Sequence, residues 1–289
     1  MKVIVTGGTG FIGKHTLVAL GNAGHDVLAL YRQGVPPVVP GVSWIRSTLD
    51  QPDWSGLESF IKESRGTLIH LAAHGVDPAK ADWDSCFRWN VTHALRFWRE
   101  AVSRGIRRIV TCGSCFEYGA AGNHYESIPS TVAPEPLDPY SASKAAATMA
   151  LCGLTAFEKI QSLSLRPCIV FGEGEASNRL WPSLRRAALS GKDFPMTSGL
   201  QVRDFVPVEI VASALSEGIV RDDLPVGKLI IENIGSGHPQ SVLEFATEWW
   251  AVWGGKGRLL AGVLPSRLTE TPRLVPLITR DISPNDHYL

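Results

Sequence analysis

Three side chains in "TCGSCFEYGAAG" (residues 111–122) and "DPYSASKAAAT" (138–148) could do chemistry: Ser114, Tyr140 and Lys144. Tyr140 and Lys144 stand four residues apart, which places them on one face of a helix. An ammonium beside a phenol favours the phenolate, so this spacing predicts a Tyr140 pKa below that of a free phenol and proton exchange near neutral pH. Cys112 and Cys115 flank Ser114 at C-x-x-C spacing, a pattern that can mean redox or metal chemistry. A reactive dithiol needs its first sulfur at an exposed helix N-terminus, whereas Cys112 is expected at the buried end of a strand. His70 and His74 form no recognisable ligand set with the two cysteines, so no metal is expected.

Y-x-x-x-K is common by chance and gains meaning from what precedes it. "VTGGTGFIGKH" follows an apolar run and opens a helical one. In that context Gly7, Gly10 and Gly13 allow a tight turn, close backbone approach to a pyrophosphate and close packing of helix on strand. The first helical turn, with Phe11, Ile12 and Gly13, offers unpaired N–H groups to the anion. An NAD-selective site usually carries an acid at the end of the second strand; "DVLALYRQ" ends instead in Tyr31 and Arg32. A guanidinium suits a 2′-phosphate, so the expected cofactor is NADP, with NAD as the alternative.

These groups need a sheet to position them. "KVIVTG", "DVLALY", "VSWIRS", "TLIHLAA", "RRIVTCG" and "LSLRPCIVF" alternate with helical patterns beginning near Phe11, Asp82 and Pro139. Such alternation predicts an α/β fold, a doubly wound parallel sheet whose strands are buried on both faces. Ligands then sit beyond the carboxyl ends of the strands, where Thr48, Leu49, Leu71, Ala72, Ala73 and Pro167 are expected to face the dinucleotide. The dinucleotide-binding domain is expected over residues 1–172. A smaller lobe over 173–289 follows, some of whose segments return to the sheet. In "SVLEFATEWWAVWGG", Val242, Phe245, Ala246, Trp249 and Trp253 form one helical stripe, read as core. Lys and Arg total 28, as do Asp and Glu, which gives no electrostatic case for nucleic acid or an anionic membrane. The N-terminal apolar run is too short for a signal peptide, no run is long enough to span a membrane, and five scattered cysteines suit a reducing compartment; a cytoplasmic protein is expected.

The ordered set resembles the extended short-chain dehydrogenase/reductases, above all their nucleotide-sugar branch, the NAD-dependent epimerase/dehydratase family. "VTGGTGFIG", "HLAA" (70–73), Asn90 in "WNVTHAL", "GSCFEYG", "YSASK", "LRPCIVFGEGE", "VRDFVPV" and "NIGSG" fall in the family's order across nearly the whole chain. The resemblance implies a Rossmann fold and makes Ser114, Tyr140 and Lys144 the catalytic triad. Ser114 would polarise the substrate oxygen, Tyr140 would exchange the proton, and Lys144 would lower its pKa and hold the nicotinamide ribose. Asn90 would be a structural or relay residue beside the cofactor. It also implies a nucleotide-sugar substrate, its diphosphate and nucleoside held by Asn178, Arg179 and Leu180, by Arg203 of the R-D-[FY] motif, and by Arg267 of "SRLTE". Glu209, where many relatives carry Asp, is read as structural.

Sugar 4,6-dehydratases follow the catalytic threonine with Asp-Glu, the acid and base that eliminate water. Cys115 and Phe116 stand here, so dehydration is not expected. The reading chosen is a 4-ketoreductase of a 4-keto-6-deoxy sugar nucleotide. A nucleotide-sugar 4-epimerase is the alternative, weakened by Tyr31 and Ile169 where the galactose epimerases carry Asp and Asn. A non-catalytic NADP-binding protein is a third reading. Relatives dimerise through the long helices that begin near Asp82 and Tyr140, so a homodimer is implied.

Overall fold

The computed structural model describes residues 1–63, 66–265 and 271–280. The first part runs β1 (Lys2–Thr6), α1 (Phe11–Asn22), β2 (Asp26–Tyr31), β3 (Val42–Arg46), α2 (Trp54–Glu63), β4 (Thr67–His70), α3 (Trp83–Phe87), α4 (Ala94–Ser103), β5 (Arg108–Cys112), α5 (Pro139–Glu158) and β6 (Gln161–Pro167). The rest runs β7 (Ile169–Phe171), α6 (Leu180–Leu189), β8 (Phe194–Pro195), β9 (Val202–Pro207), α7 (Val208–Glu217), β10 (Leu229–Ile234), β11 (Pro239–Ser241), α8 (Val242–Val252), β12 (Leu259–Leu260) and β13 (Arg273–Leu274).

A seven-stranded sheet of order β10-β6-β5-β4-β1-β2-β3, parallel at every pairing, forms the centre. Its strands are apolar on both faces because helices cover both. Val3, Val5, Val27 and Ala29 pack with Leu17 of α1 and Val211 and Leu215 of α7. The alternate residues Ile4, Leu28 and Leu30 pack on the opposite side with Leu57 of α2, Phe97 of α4 and Leu151 of α5. Each such fully buried side chain contributes on the order of 1.5–3 kcal/mol.

Two differences from the sequence reading matter. "LSLRPCIVF" is not one strand: Cys168 turns its N–H to Ile234 O at 3.0 Å, and β7 leaves the main sheet to pair in parallel with β9. Segments beyond residue 172 complete the sheet: β10 is its seventh strand, and α7 packs back on it. The long helix near Asp82 is also not uniform, since residues Arg88–His93 adopt a π-helical turn between α3 and α4.

The lobe comprises β7, β9, β11 and β13 with the short β8–β12 pair, and α6 and α8. The stripe of α8 is core as expected. Phe245 and Ala246 are buried, Phe245 stacks on Phe205 at 3.9 Å between centroids, and Trp249 and Trp253 meet Trp181 edge to face. Among the described residues no helix is long and apolar enough to cross a membrane.

Candidate active site

The glycine turn is held by close backbone approach. Gly7 has φ +73°, and a Cβ there would come within 2.5 Å of Ala72 N; one on Gly13 would come within 2.2 Å of Gly7 O. Gly10 closes the turn by donating to Gly7 O at 3.0 Å and is the N-cap of α1. It supplies no side-chain cap, and the first turn, with Phe11 and Ile12, carries no acid. Backbone N–H groups and the positive end of the helix dipole are therefore presented to an anion, and the residues fit a dinucleotide pyrophosphate. Leu71 N donates to Thr6 O, which lays Leu71, Ala72 and Ala73 beside the turn.

Arg32 follows β2 and is exposed. Tyr31 packs edge-on against Trp44 and pairs in register with Arg46, a second exposed arginine that the sequence reading passed over. Thr48 and Leu49 follow β3, but Leu49 is buried in the core and the Thr48 hydroxyl bonds Gln51. Pro167 ends β6 and is buried.

Tyr140, Lys144 and Thr148 form one stripe on α5. The helix is started by Asp138, whose carboxylate accepts from Ser141 N at 2.8 Å, and by Pro139 in the first turn. Lys144 Nζ donates to Cys112 O at 2.6 Å, which ties the stripe to the end of β5. Ser114 follows in extended backbone as the N-cap of a short 3-10 turn (Cys115–Tyr118), its Oγ accepting from Phe116 N at 3.2 Å.

The phenol departs from the expectation. Burial pushes the pKa of Tyr140 well above its ordinary value, Cys112, Glu117 and Cys115 push the same way, and only Arg179 acts against them. Desolvation outweighs the lysine here, whose ammonium is turned to a backbone carbonyl. Burial likewise holds Cys112 at about 11 despite Lys144, and raises Cys115, which is further raised by Cys168. Burial thus disfavours the thiolate that dithiol chemistry needs at both positions.

Asn90, in the π-helical turn, accepts from His74 N at 2.7 Å and donates to His74 O and Ser143 Oγ. Its amide thus holds the loop after β4 against α5. His70 is buried, kept neutral with a pKa of about 3 by desolvation and then by Lys144, and bonded to Thr6 Oγ1 at 3.0 Å.

On the lobe side, Asn178 is exposed, Arg179 is the N-cap of α6 and Leu180 its first residue. The Arg179 guanidinium acts to lower the pKa of Tyr140. Arg179 Nε lies 3.5 Å from Glu175 Oε1, while Glu175 Oε2 is buried with no hydrogen-bond partner. Burial raises the Glu175 carboxyl to about 7, partly offset by Arg179. The four-residue spacing of Glu175 and Arg179 in a glycine-rich loop is the signal that could have found this pair.

Arg203 is buried and donates to the carbonyls of Val202 at 2.7 Å and Thr271 at 2.8 Å. It is directed at the main chain of the lobe rather than displayed to solvent, while Asp204 accepts from Ser236 and Gly237. Arg267 lies outside the described residues. No cluster of three or more His, Cys, Asp or Glu side chains that could hold a metal occurs among the described residues.

A glycine cradle at the end of the first strand of a doubly wound sheet defines a dinucleotide-binding Rossmann protein. The chain belongs to the NAD dependent epimerase/dehydratase family, whose model matches residues 3–227. It is 28% identical over 286 residues to a UDP-glucose 4-epimerase of Neisseria meningitidis serogroup B, covering 88% of this chain and 83% of that protein. It is 26% identical over 315 residues to a dTDP-4-dehydro-6-deoxy-D-allose reductase of a Streptomyces species, covering 98% and 92%. The solved structure of MoeE5 in complex with UDP-glucose and NAD superposes with a TM-score of 0.82 at 28% identity, covering 97% of this chain and 90% of that one.

Proposed function

We propose that the protein is an NADPH-dependent 4-ketoreductase of a nucleotide-activated 4-keto-6-deoxy sugar. The observation that carries this reading is Arg32, exposed just after β2 where an NAD-selective site carries an acid. A guanidinium there suits the 2′-phosphate of NADP, the cofactor of a net reduction, whereas an epimerase recycles a held NAD. Cys115 and Phe116 provide no carboxylates for elimination of water. The Streptomyces reductase, which is matched over more of its length than the epimerases, supports the same reading.

A nicotinamide held by the glycine cradle would supply the hydride. Ser114 hydrogen-bonds the keto oxygen, Tyr140 protonates it, and Lys144 stabilises the phenolate left behind while holding the end of β5. Arg179, at the start of α6, meets the substrate diphosphate with Asn178 and Leu180 beside it. Arg203 serves that contact through the segment 271–272 that it holds. Arg32, with Arg46 close by, takes the 2′-phosphate of NADP. Exposed Trp83, Met149 and Phe157 on α3 and α5 offer the apolar surface through which two copies would pair.

The test is spectroscopic: reduced nicotinamide is followed while CDP-, dTDP-, GDP- and UDP-linked 4-keto-6-deoxy sugars are offered. Equimolar loss of NADPH and sugar is expected. Tyr140→Phe should then lower kcat by roughly 10²–10⁴-fold with the NADPH Kd unchanged. Arg32→Ala should weaken NADPH roughly tenfold, about 1.4 kcal/mol, and NADH by less; equal losses would remove the cofactor argument. The second reading, a 4-epimerase holding NAD, is favoured by the Neisseria relative and selected if UDP-glucose is converted without net cofactor change. Binding of NADPH with no turnover of either substrate class would leave a non-catalytic dinucleotide-binding protein.

A further inference from the structure

Glu117 is fully buried, and neither the triad nor the cofactor cradle uses it. Its carboxylate nevertheless touches every element of the catalytic face. Oε1 accepts from Ser114 N at 2.9 Å. Oε2 accepts from Thr148 Oγ1 at 2.9 Å and from Arg166 Nε and Nη2 at 2.9 and 2.8 Å. Ser114 follows β5, Thr148 continues the Tyr140–Lys144 stripe of α5 by one more turn, and Arg166 lies on β6.

We propose that Glu117 is the positioning residue of the active site, fixing Ser114 at a set distance from the face of α5 that carries Tyr140 and Lys144. The proposal deepens the ketoreductase reading and rests on it for its kinetic consequences. Three observations carry it beyond an ordinary buried ion pair.

The backbone is built to meet the carboxylate: a Cβ on Gly113 would come within 2.7 Å of Glu117 Oε1, so the residue before Ser114 leaves room for this oxygen. The carboxylate and Ser114 also cap each other. Glu117 receives the Ser114 N–H while Ser114 Oγ receives that of Phe116, which holds the serine backbone extended. Arg166 in turn is held from behind, its guanidinium 4.7 Å from the Tyr118 ring centroid, and Tyr118 OH donates to Asn233 Oδ1 of β10 at 2.6 Å.

Buried ion pairs are often no more stabilising than apolar groups of the same shape, because desolvation offsets the attraction. What this pair supplies instead is location. It is a rigid acceptor that fixes where the Ser114 hydroxyl stands relative to the phenol, and misplacement by about 1 Å costs on the order of a hundredfold in rate.

The experiment uses the full chain. Thr148→Val breaks the link to α5 and leaves the Glu117–Arg166 pair intact; Glu117→Gln removes the charge. Each is made alone and with Ser114→Ala. In reduction of a 4-keto sugar nucleotide, kcat should fall roughly fivefold for Thr148→Val and roughly 30- to 100-fold for Glu117→Gln, with KM and the NADPH Kd within about twofold. In the Ser114→Ala background neither change should cost more, since both act through the serine.

Amide hydrogen exchange is the readout that needs no turnover. Residues 112–118 should exchange at least about tenfold faster in both variants, with residues 3–20 unchanged. Losses that add to that of Ser114→Ala, or unaltered exchange at 112–118, would overturn the proposal. If Glu117→Gln does not fold, Thr148→Val decides alone. If the wild type turns over no nucleotide sugar, the ketoreductase reading fails, and the exchange result by itself supports or overturns the role of Glu117.

Discussion

Two of the connections that leave a strand and open a helix, β1 to α1 and β7 to α6, are held in opposite ways. The first is shaped by backbone: Gly10 is its N-cap, no side chain caps it, and no acid lies in the helix's first turn. The second is crowded with charge. Arg179 is its N-cap, paired with Glu175, and Glu173 is bonded by Arg185. The two loops also touch, through His15 of α1, whose Nε2 bonds Glu173 O at 2.8 Å. A site made of backbone is intolerant of added atoms and indifferent to pH, whereas one built around a buried carboxylate, Glu175, among more exposed charges responds to protons. The division fits a cofactor of fixed shape on one side and a variable substrate on the other.

The largest effect that would sharpen this contrast is expected from Gly13→Ala. A Cβ would come within 2.2 Å of Gly7 O and 2.9 Å of Gly8 Cα, and neither is a flexible side-chain end that could move away. The helix must shift off the strand, and with it the N–H groups that meet the pyrophosphate. NADPH affinity should fall by roughly a hundredfold or more, about 2.7 kcal/mol by the tenfold-per-1.4 relation. Isothermal titration checks it. Unchanged affinity would mean that the turn does not hold the dinucleotide and would dissolve the contrast between the loops.

The same contrast governs how much was legible in the sequence. Glycines at 7, 10 and 13, the alternation of Val3, Ile4 and Val5 between two covered faces, and the four-residue step from Tyr140 to Lys144 are local patterns, and local geometry dictates their outcome. The break at Cys168, and which later strand pairs with β6, depend on partners more than sixty residues away, Ile234 and β10, and no local period announces them. Chemistry divides likewise. That Tyr140 and Lys144 share a face follows from spacing, but the raised phenol is set by burial and by Cys112, Glu117 and Cys115, which only the folded chain brings near. Glu117 and Arg166 were visible as lone charges in apolar runs, yet their pairing across 49 positions was not.

A smaller effect tests the charged loop. The Glu175 carboxyl is raised from 4.5 to about 7, chiefly by burial. Between those values the folded chain holds a proton that the unfolded chain has released, so stability falls as pH rises through that window and levels off above it. Above the window the wild type keeps an ionised carboxylate whose Oε2 has no hydrogen-bond partner. Glu175→Gln removes the proton linkage. Denaturant midpoints should therefore be nearly equal for the two proteins at about pH 4, and the variant should gain roughly 1–3 kcal/mol over wild type by about pH 8. Parallel curves would mean that this carboxylate is solvated, and the loop between β7 and α6 would then be no more strained by its charges than the glycine turn is.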